Sequence, residues 1–258
     1  MARCRWLVLF LAVLWASAGH AAQEQDEVVD DTDPTKPIAV SLRNEYYNLL
    51  NDVWTNVGIL RADRLFLRDT GLPGHLRGIL FRADLPFPAV DTGLDSEAGL
   101  GDLYAQVLLV PQPKRGFTVA YGTGLSFPTA TGDLLGTGKW VVKPLLLPLQ
   151  YLPKRKGLAF LKVQDWLSFA GDGDREDVHF LTIQPTLVYR LTRRLFALVD
   201  SEAKVDWERN EQTSCKSGIL IGRMFSPRIG AWVKGEVPWG QYREGDWILK
   251  ATVFLTRY

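Results

Sequence analysis

Residues 195–208, LFALVDSEAKVDWE, alternate strictly enough to fix the kind of surface this chain must make. One set of alternate positions, Leu195, Ala197, Val199, Ser201, Ala203, Val205 and Trp207, is almost entirely apolar. The other set, Phe196, Leu198, Asp200, Glu202, Lys204, Asp206 and Glu208, carries two hydrophobes and then five consecutive charges. Successive side chains of a strand point to opposite faces, so this segment is a strand with one oily side and one ionic side. Residues 228–239 repeat the pattern, with Lys234 and Glu236 on the polar side and Val233, Val237 and Trp239 on the other. Strands of soluble proteins typically run about 5–6 residues. A tilted strand needs about 9–11 to cross a bilayer, and these runs are long enough. The pattern implies a transmembrane β-barrel.

Composition agrees. At 258 residues, 47% hydrophobic and 23% charged, the chain is too polar for a helical membrane protein and too apolar for disorder. A barrel averages its polar interior with its lipid-facing exterior. The apolar run Trp6 to Trp15, preceded by Arg3 and Arg5 and followed by Ala16-Ser17-Ala18-Gly19, reads as a secretory leader over residues 1–22. Residues 23–37 hold Glu24, Asp26, Glu27, Asp30, Asp31 and Asp33 and read as a disordered acidic periplasmic segment. The barrel is expected over 38–258. Cys215 is the one cysteine outside the leader, so no internal disulfide is expected. The formal charge is +1, falling to −1 without Arg3 and Arg5. No concentrated basic surface for a nucleic acid is implied.

Candidate strands span 54–68, 75–87, 101–111, 116–128, 138–151, 157–170, 178–192, 194–208, 215–226, 228–239 and 246–258. Barrels of this type have even strand numbers. A further strand is therefore expected within 38–50, a stretch that also suits a short amphipathic helix. Twelve strands result, or ten if two candidates fail. In 116–128, the small residues Thr118, Ala120, Gly122, Gly124 and Ser126 share the inward side. Segments 138–151 and 215–226 are apolar or mixed on both faces and leave their facing open. Trp54, Trp140, Trp166, Trp207, Trp239, Trp247 and Tyr258 cluster where strands end, as in an interfacial aromatic girdle.

Several motifs occur in a characteristic order: Gly99-Leu100-Gly101-Asp102, Pro128-Thr129 with Thr131-Gly132-Asp133, and Leu135-Gly136-Thr137-Gly138. Then follow Thr182-Ile183-Gln184-Pro185 with Tyr189, Asp206-Trp207, Ile221-Gly222-Arg223 and Pro238-Trp239-Gly240. From about residue 50 onward the chain resembles the Gram-negative outer-membrane family named for the meta-cleavage pathway of phenol degradation. That resemblance implies a barrel fold and an outer-membrane location, but no particular chemistry. Gly-Leu-Gly-Asp is not a nucleotide loop, because no helix follows to present amides to a phosphate.

Covalent chemistry finds little support. There is no G-x-S-x-G, HExxH or CxxC. Ser168 and His179 flank one hairpin and are the nearest approach to a hydrolase or acyltransferase pair. The turn GDGDRED at 171–177 lacks the spacing of a calcium loop. Neither a catalytic residue, a metal site nor a cofactor is expected. The inward charges are the better lead: Arg82, Asp84, Asp102, Asp200, Glu202, Lys204, Asp206, Lys234 and Glu236 are the candidate lumen-lining residues. Such charges must be hydrated by a pore or paired across strands. The expected function is porin-like passage of small solutes, hydrophobic or aromatic ones included. The alternatives are a non-conducting barrel with an ion-paired lumen and a lipid-modifying enzyme. Expected partners are outer-membrane lipids, lipopolysaccharide, the solutes and the barrel-assembly machinery.

Overall fold

A computed structural model describes residues 38–67, 74–153 and 156–256. The expected leader, the acidic segment and Tyr258 lie outside these residues. The described chain is all β: β1 (Ile38–Leu49), β2 (Trp54–Leu67), β3 (Leu76–Asp91), β4 (Ser96–Ala98), β5 (Tyr104–Pro111), β6 (Phe117–Ser126), β7 (Lys139–Tyr151), β8 (Gly157–Gly171), β9 (His179–Arg190), β10 (Leu195–Asp206), β11 (Gln212–Met224), β12 (Ile229–Trp239) and β13 (Gly245–Thr256). Each long strand pairs antiparallel with the next, and β13 pairs with β1, so twelve strands close on themselves. The short β4 pairs with β3 alone, outside the ring. Closure leaves no free edge, the condition for a sheet to stand in hydrocarbon.

Residues 38–49 are strand, not helix. Ser41, Arg43, Glu45 and Tyr47 alternate with Leu42, Asn44 and Tyr46, and the segment is paired on both sides, to β13 and β2. Strand β3 runs four residues beyond the expected end, through Pro86 and Pro88. Both prolines pair with β2, while the β3–β5 ladder stops at Asp84 and Tyr104. Missing N–H groups are tolerated there because the free side needs only carbonyls, which accept from Gly99 and Gly101. This loop pairing also explains why β5 starts at Tyr104 and not at residue 101.

The register settles the two facings left open. On β7, Val141, Lys143, Leu145, Leu147 and Leu149 point inward and are buried. On β11, Lys216, Gly218, Leu220, Gly222 and Met224 point inward. The outer face is apolar: Val199, Ile219, Ile221, Val233, Val237 and Val253 are 46% to 61% exposed. A continuous apolar band of this size is untenable in water and suits a lipid surround. Near one end of the strands Tyr46 stacks between Trp54 and Trp247, at 6.0 and 5.3 Å between ring centroids. Trp140 meets Phe127 at 5.2 Å. Trp166 departs from the expected girdle. It lies on the inner register with Gln164 and stacks on Phe180 at 4.9 Å.

The two ends differ. At one end the connections 112–116, 152–156, 191–194 and 225–228 have four or five residues and 68–75 has eight, whereas the opposite end carries the longest loops, 92–103 and 127–138, with the turn 172–178 beside them. Short turns mark the periplasmic end of such barrels. The described residues of the short turns include Lys114, Arg115, Lys156, Arg193, Arg194 and Arg228 and no carboxylate. The long-loop end carries Asp95, Glu97, Asp133, Asp172, Asp174, Glu176 and Asp177. Inside the short-turn half lies an apolar floor of Leu149, Leu158, Val188, Phe196, Leu198, Leu220, Met224, Trp232 and Phe254. A second cluster of Leu80, Leu108, Val110, Ala120, Leu145 and Leu147 adjoins it through Phe160. Leu149 is 0% and Phe254 1% exposed, so side chains fill this half of the barrel. Each large apolar group so buried contributes about 1.5–3 kcal/mol.

Candidate functional site in the barrel lumen

Above the apolar floor the inner face turns ionic, as the pattern of residues 196–206 requires. Asp200 on β10 is held by Lys234 of β12, with Nζ 2.6 Å from Oδ2, and by Gln184 of β9, whose Nε2 donates at 2.6 Å. Lys234 reaches across the intervening strand because β11 places Gly218 between them. A Cβ at Gly218 would stand 2.9 Å from Lys234 Cε and 2.8 Å from Glu236 Cγ. Lys234 also meets Glu236 at 2.5 Å, and Lys250 of β13 meets Glu236 at 3.1 Å and Glu45 of β1 at 3.5 Å. Arg43 and the hydroxyl of Tyr47 donate to Glu45. An ionic chain therefore runs across the closing seam of the barrel.

On β2 and β3 two residue pairs stand directly opposite in register. Arg61 holds Asp84 through two bonds of 2.7 Å, and Arg82 holds Asp63 through bonds of 2.9 and 2.7 Å. These are bidentate forks, the strongest geometry for such pairs. Glu202 meets Lys216 at 2.9 Å. Lys204 is nearer the mouth, 2.8 Å from Glu244 and 3.5 Å from Asp206. Eight of the nine sequence candidates thus sit on the inner faces of strands, and most carry a partner of opposite sign.

Asp102 is placed differently, in the loop before β5. Its carboxylate accepts from the backbone N–H of Ala130 (3.2 Å) and Thr137 (2.7 Å) and from the Thr137 hydroxyl (2.9 Å), stapling the 127–138 loop. Beside it, Arg175 of the 172–178 turn donates to the carbonyls of Asp133 and Gly136. Lys139 donates to Asp177 at 2.9 Å, and that hydrogen bond and charge hold the Asp177 carboxyl below the usual carboxylate range.

Arg43, Glu45, Arg61, Asp63, Lys143, Lys162, Lys216 and Lys250 belong to the same lumen and were not singled out from sequence. Arg61 and Asp63 carry a readable signal, since they alternate on one strand just as Arg82 and Asp84 do. Lys143 and Lys216 sit in the two segments whose facing the sequence left open. Ser168 and His179 do not assemble into a catalytic pair. Ser168 faces inward, where its hydroxyl accepts from Val178 N–H at 3.0 Å and donates to Asp177. His179 lies on the outer register opposite Leu167, with Nε2 3.9 Å from Asp165 and its ring 6.0 Å from Trp207. Among the described residues no cluster of three or more His, Cys, Asp or Glu side chains is placed to hold a metal ion.

No family model matches the chain, so the resemblance to the phenol meta-pathway family stands on its motifs alone. No curated protein matches it either. Among solved structures it is similar to an outer membrane channel from Pseudomonas putida F1, with TM-score 0.73, 14% identity, and coverage of 88% of this chain and 99% of that one. It is also similar to the NanC porin, with TM-score 0.59, 8% identity, and coverage of 85% and 100%. The KdgM porin, in complex with disordered oligogalacturonate, gives 0.58, 8%, 85% and 99%. At these identities the likeness establishes the fold, an outer-membrane-type antiparallel barrel of twelve strands.

Proposed function

We propose that this chain is exported to the Gram-negative outer membrane and acts there as a narrow, porin-like channel for small solutes. One observation carries the reading: an ionic ring on the long-loop side stands over an apolar floor inside a wall that is apolar outside. That is a polar entrance leading to a hydrophobic constriction, a recurrent way to select and gate. The three barrels similar in fold are named as a channel and as porins, which supports the same reading. Solutes with a hydrophobic or aromatic body suit the floor better than sugars do. Arg82, Asp84, Asp200, Glu202, Lys204, Asp206, Lys234 and Glu236 line the route, and Asp102 acts on it through the loop it staples. Lipopolysaccharide surrounds the acidic loops and phospholipid the basic turns, after insertion by the assembly machinery.

A second reading has its own support: Glu236 is 3% exposed and Leu149 0%, as in a sealed, ion-paired barrel that conducts nothing. Planar-bilayer recording separates the two. Small unitary currents, with ion selectivity shifted by Lys204→Glu and Lys234→Glu, are expected of the channel. Silence under every voltage and salt gradient removes it in favour of the sealed barrel.

A further inference from the structure

The inner carboxylates are matched by cations, but two cations are left over. Among the described residues no carboxylate lies within ion-pair distance of Lys143 on β7 or Lys162 on β8, and neither has a hydrogen-bond partner. Lys143 is 6% exposed. Its ammonium rests on aromatic faces, 3.6 Å from the Trp166 ring centroid and 4.6 Å from that of Tyr104. Gly124, opposite Lys143 in register, makes this possible, because the Tyr104 ring occupies the space a Cβ would take. Trp166 adds an independent sign: its Nε1–H is buried and has no acceptor. Two ammonium groups without an ion-pair partner and an indole N–H without an acceptor, on a wall whose other inner charges are paired, form a donor set that an anion would satisfy.

The position of these groups specifies the rest of that anion. On β7 the inner residues following Lys143 toward the short-turn end are Leu145, Leu147 and Leu149. On β8 those following Lys162 are Phe160 and Leu158. Both lysines stand at the border where the ionic lumen meets the apolar floor. We propose that Lys143, Lys162 and the Trp166 N–H seat the head of a small monocarboxylate whose uncharged body lies on that floor. The proposal deepens the channel reading by naming its solute class. A doubly charged or fully hydrated anion would have to desolvate against leucines, and a neutral solute would leave the three donors unmatched.

Benzoate is the probe, titrated calorimetrically into the full chain in lipid nanodiscs, with protein-free nanodiscs as the blank. Saturable 1:1 binding is expected. Lys143→Gln and Lys162→Gln should each weaken it by about tenfold or more, as loss of a charge-assisted hydrogen bond does. Lys143→Arg should retain binding, and Lys114→Gln on a remote turn should leave it unchanged. Heat-modifiable mobility on gels identifies variants that have not folded, and Lys162→Gln alone suffices if Lys143→Gln is one of them. Benzyl alcohol, acetate and sulfate should each bind at least about tenfold more weakly than benzoate, each lacking the charge, the body or the single-charge head. Comparable binding of any of the three, unchanged affinity in the lysine variants, or no saturable binding to the unmodified protein overturns the seat. Binding without conductance removes the channel reading and leaves the seat standing.

Discussion

Replacing Lys234 by Met tests whether the ionic ring behaves as protein interior or as the wall of a wet pore. Lys234 contacts Asp200 at 2.6 Å and Glu236 at 2.5 Å, and all three side chains are less than 10% exposed. At an effective dielectric of about 20 the contact with Asp200 alone is worth roughly 6 kcal/mol, against roughly 1.6 kcal/mol in bulk water. Desolvation offsets most of the larger figure in the intact protein. Removal of the cation recovers only the cation's own share of that cost and takes a charge partner from two buried carboxylates, which typically destabilises by about 3–5 kcal/mol. Two contacts moderate the loss. Asp200 keeps the bond from Gln184, and Glu236 keeps Lys250 at 3.1 Å. The expectation for Lys234→Met is therefore the lower end, about 3 kcal/mol. Glu236→Gln should cost less, about 1–2 kcal/mol, because Lys234 retains Asp200 and Lys250 retains Glu45. Asp200→Asn in the Lys234→Met background should recover part of the loss, giving a coupling of at least about 1 kcal/mol. Reversible urea unfolding in lipid vesicles, extrapolated linearly to zero denaturant, provides these numbers. A loss below about 1 kcal/mol with additive double-variant energies would refute the reasoning, since only a fully hydrated ring gives that result.

Three further outcomes are expected. Gly122→Ala should destabilise by about 1–3 kcal/mol, measured in the same unfolding assay, because its Cβ would lie 2.0 Å from the Val107 carbonyl oxygen and force β5 and β6 apart; a neutral result would mean that the two strands separate freely. Asp102→Ala removes three hydrogen bonds from the 127–138 loop, so limited proteolysis should cut that loop while the barrel's heat-modifiable mobility stays unchanged. The Asp177 carboxyl titrates below its ordinary range, so its contribution is present above the unfolded pKa and is lost as pH falls through the lower folded value. Protection of the Val178 amide, its exchange rate referred to the unstructured rate at the same pH, should accordingly hold through mildly acidic pH and fall below it, whereas Asp177→Asn should show low protection at neutral pH with no such acid step.

The wall was legible in the sequence because lipid outside and ions inside impose opposite demands on alternate residues. Residues 195–208 and 228–239 show both demands at full strength. Segments 138–151 and 215–226 hid their facing because the short-turn half of the interior is apolar too. Leu145, Leu147 and Leu149 look inward yet read like the lipid-facing Leu146. Trp166 sits at a strand end like the other candidate girdle residues but faces the lumen, and its sequence neighbourhood does not distinguish the two. Ion partners were invisible for a different cause. Asp200 finds Lys234 two strands away only because Gly218 is empty, and pairing across a strand depends on register, which alternation alone does not supply. The Asp102 staple rests on a loop that bends back over β3, and no periodic signal encodes that.

The closing seam has a consequence for how the molecule is made. Glu45 and Lys250, the first and last strands' contributions to the ionic chain, meet only once β1 has found β13, and Phe254 reaches the floor from that same final strand. Until then the nascent cylinder has a gap through which water reaches Leu149, Phe196 and Trp232. Drying of the interior and joining of the termini are thus one cooperative event. A chain lacking β13 should populate a wet, protease-sensitive assembly intermediate, not a smaller barrel.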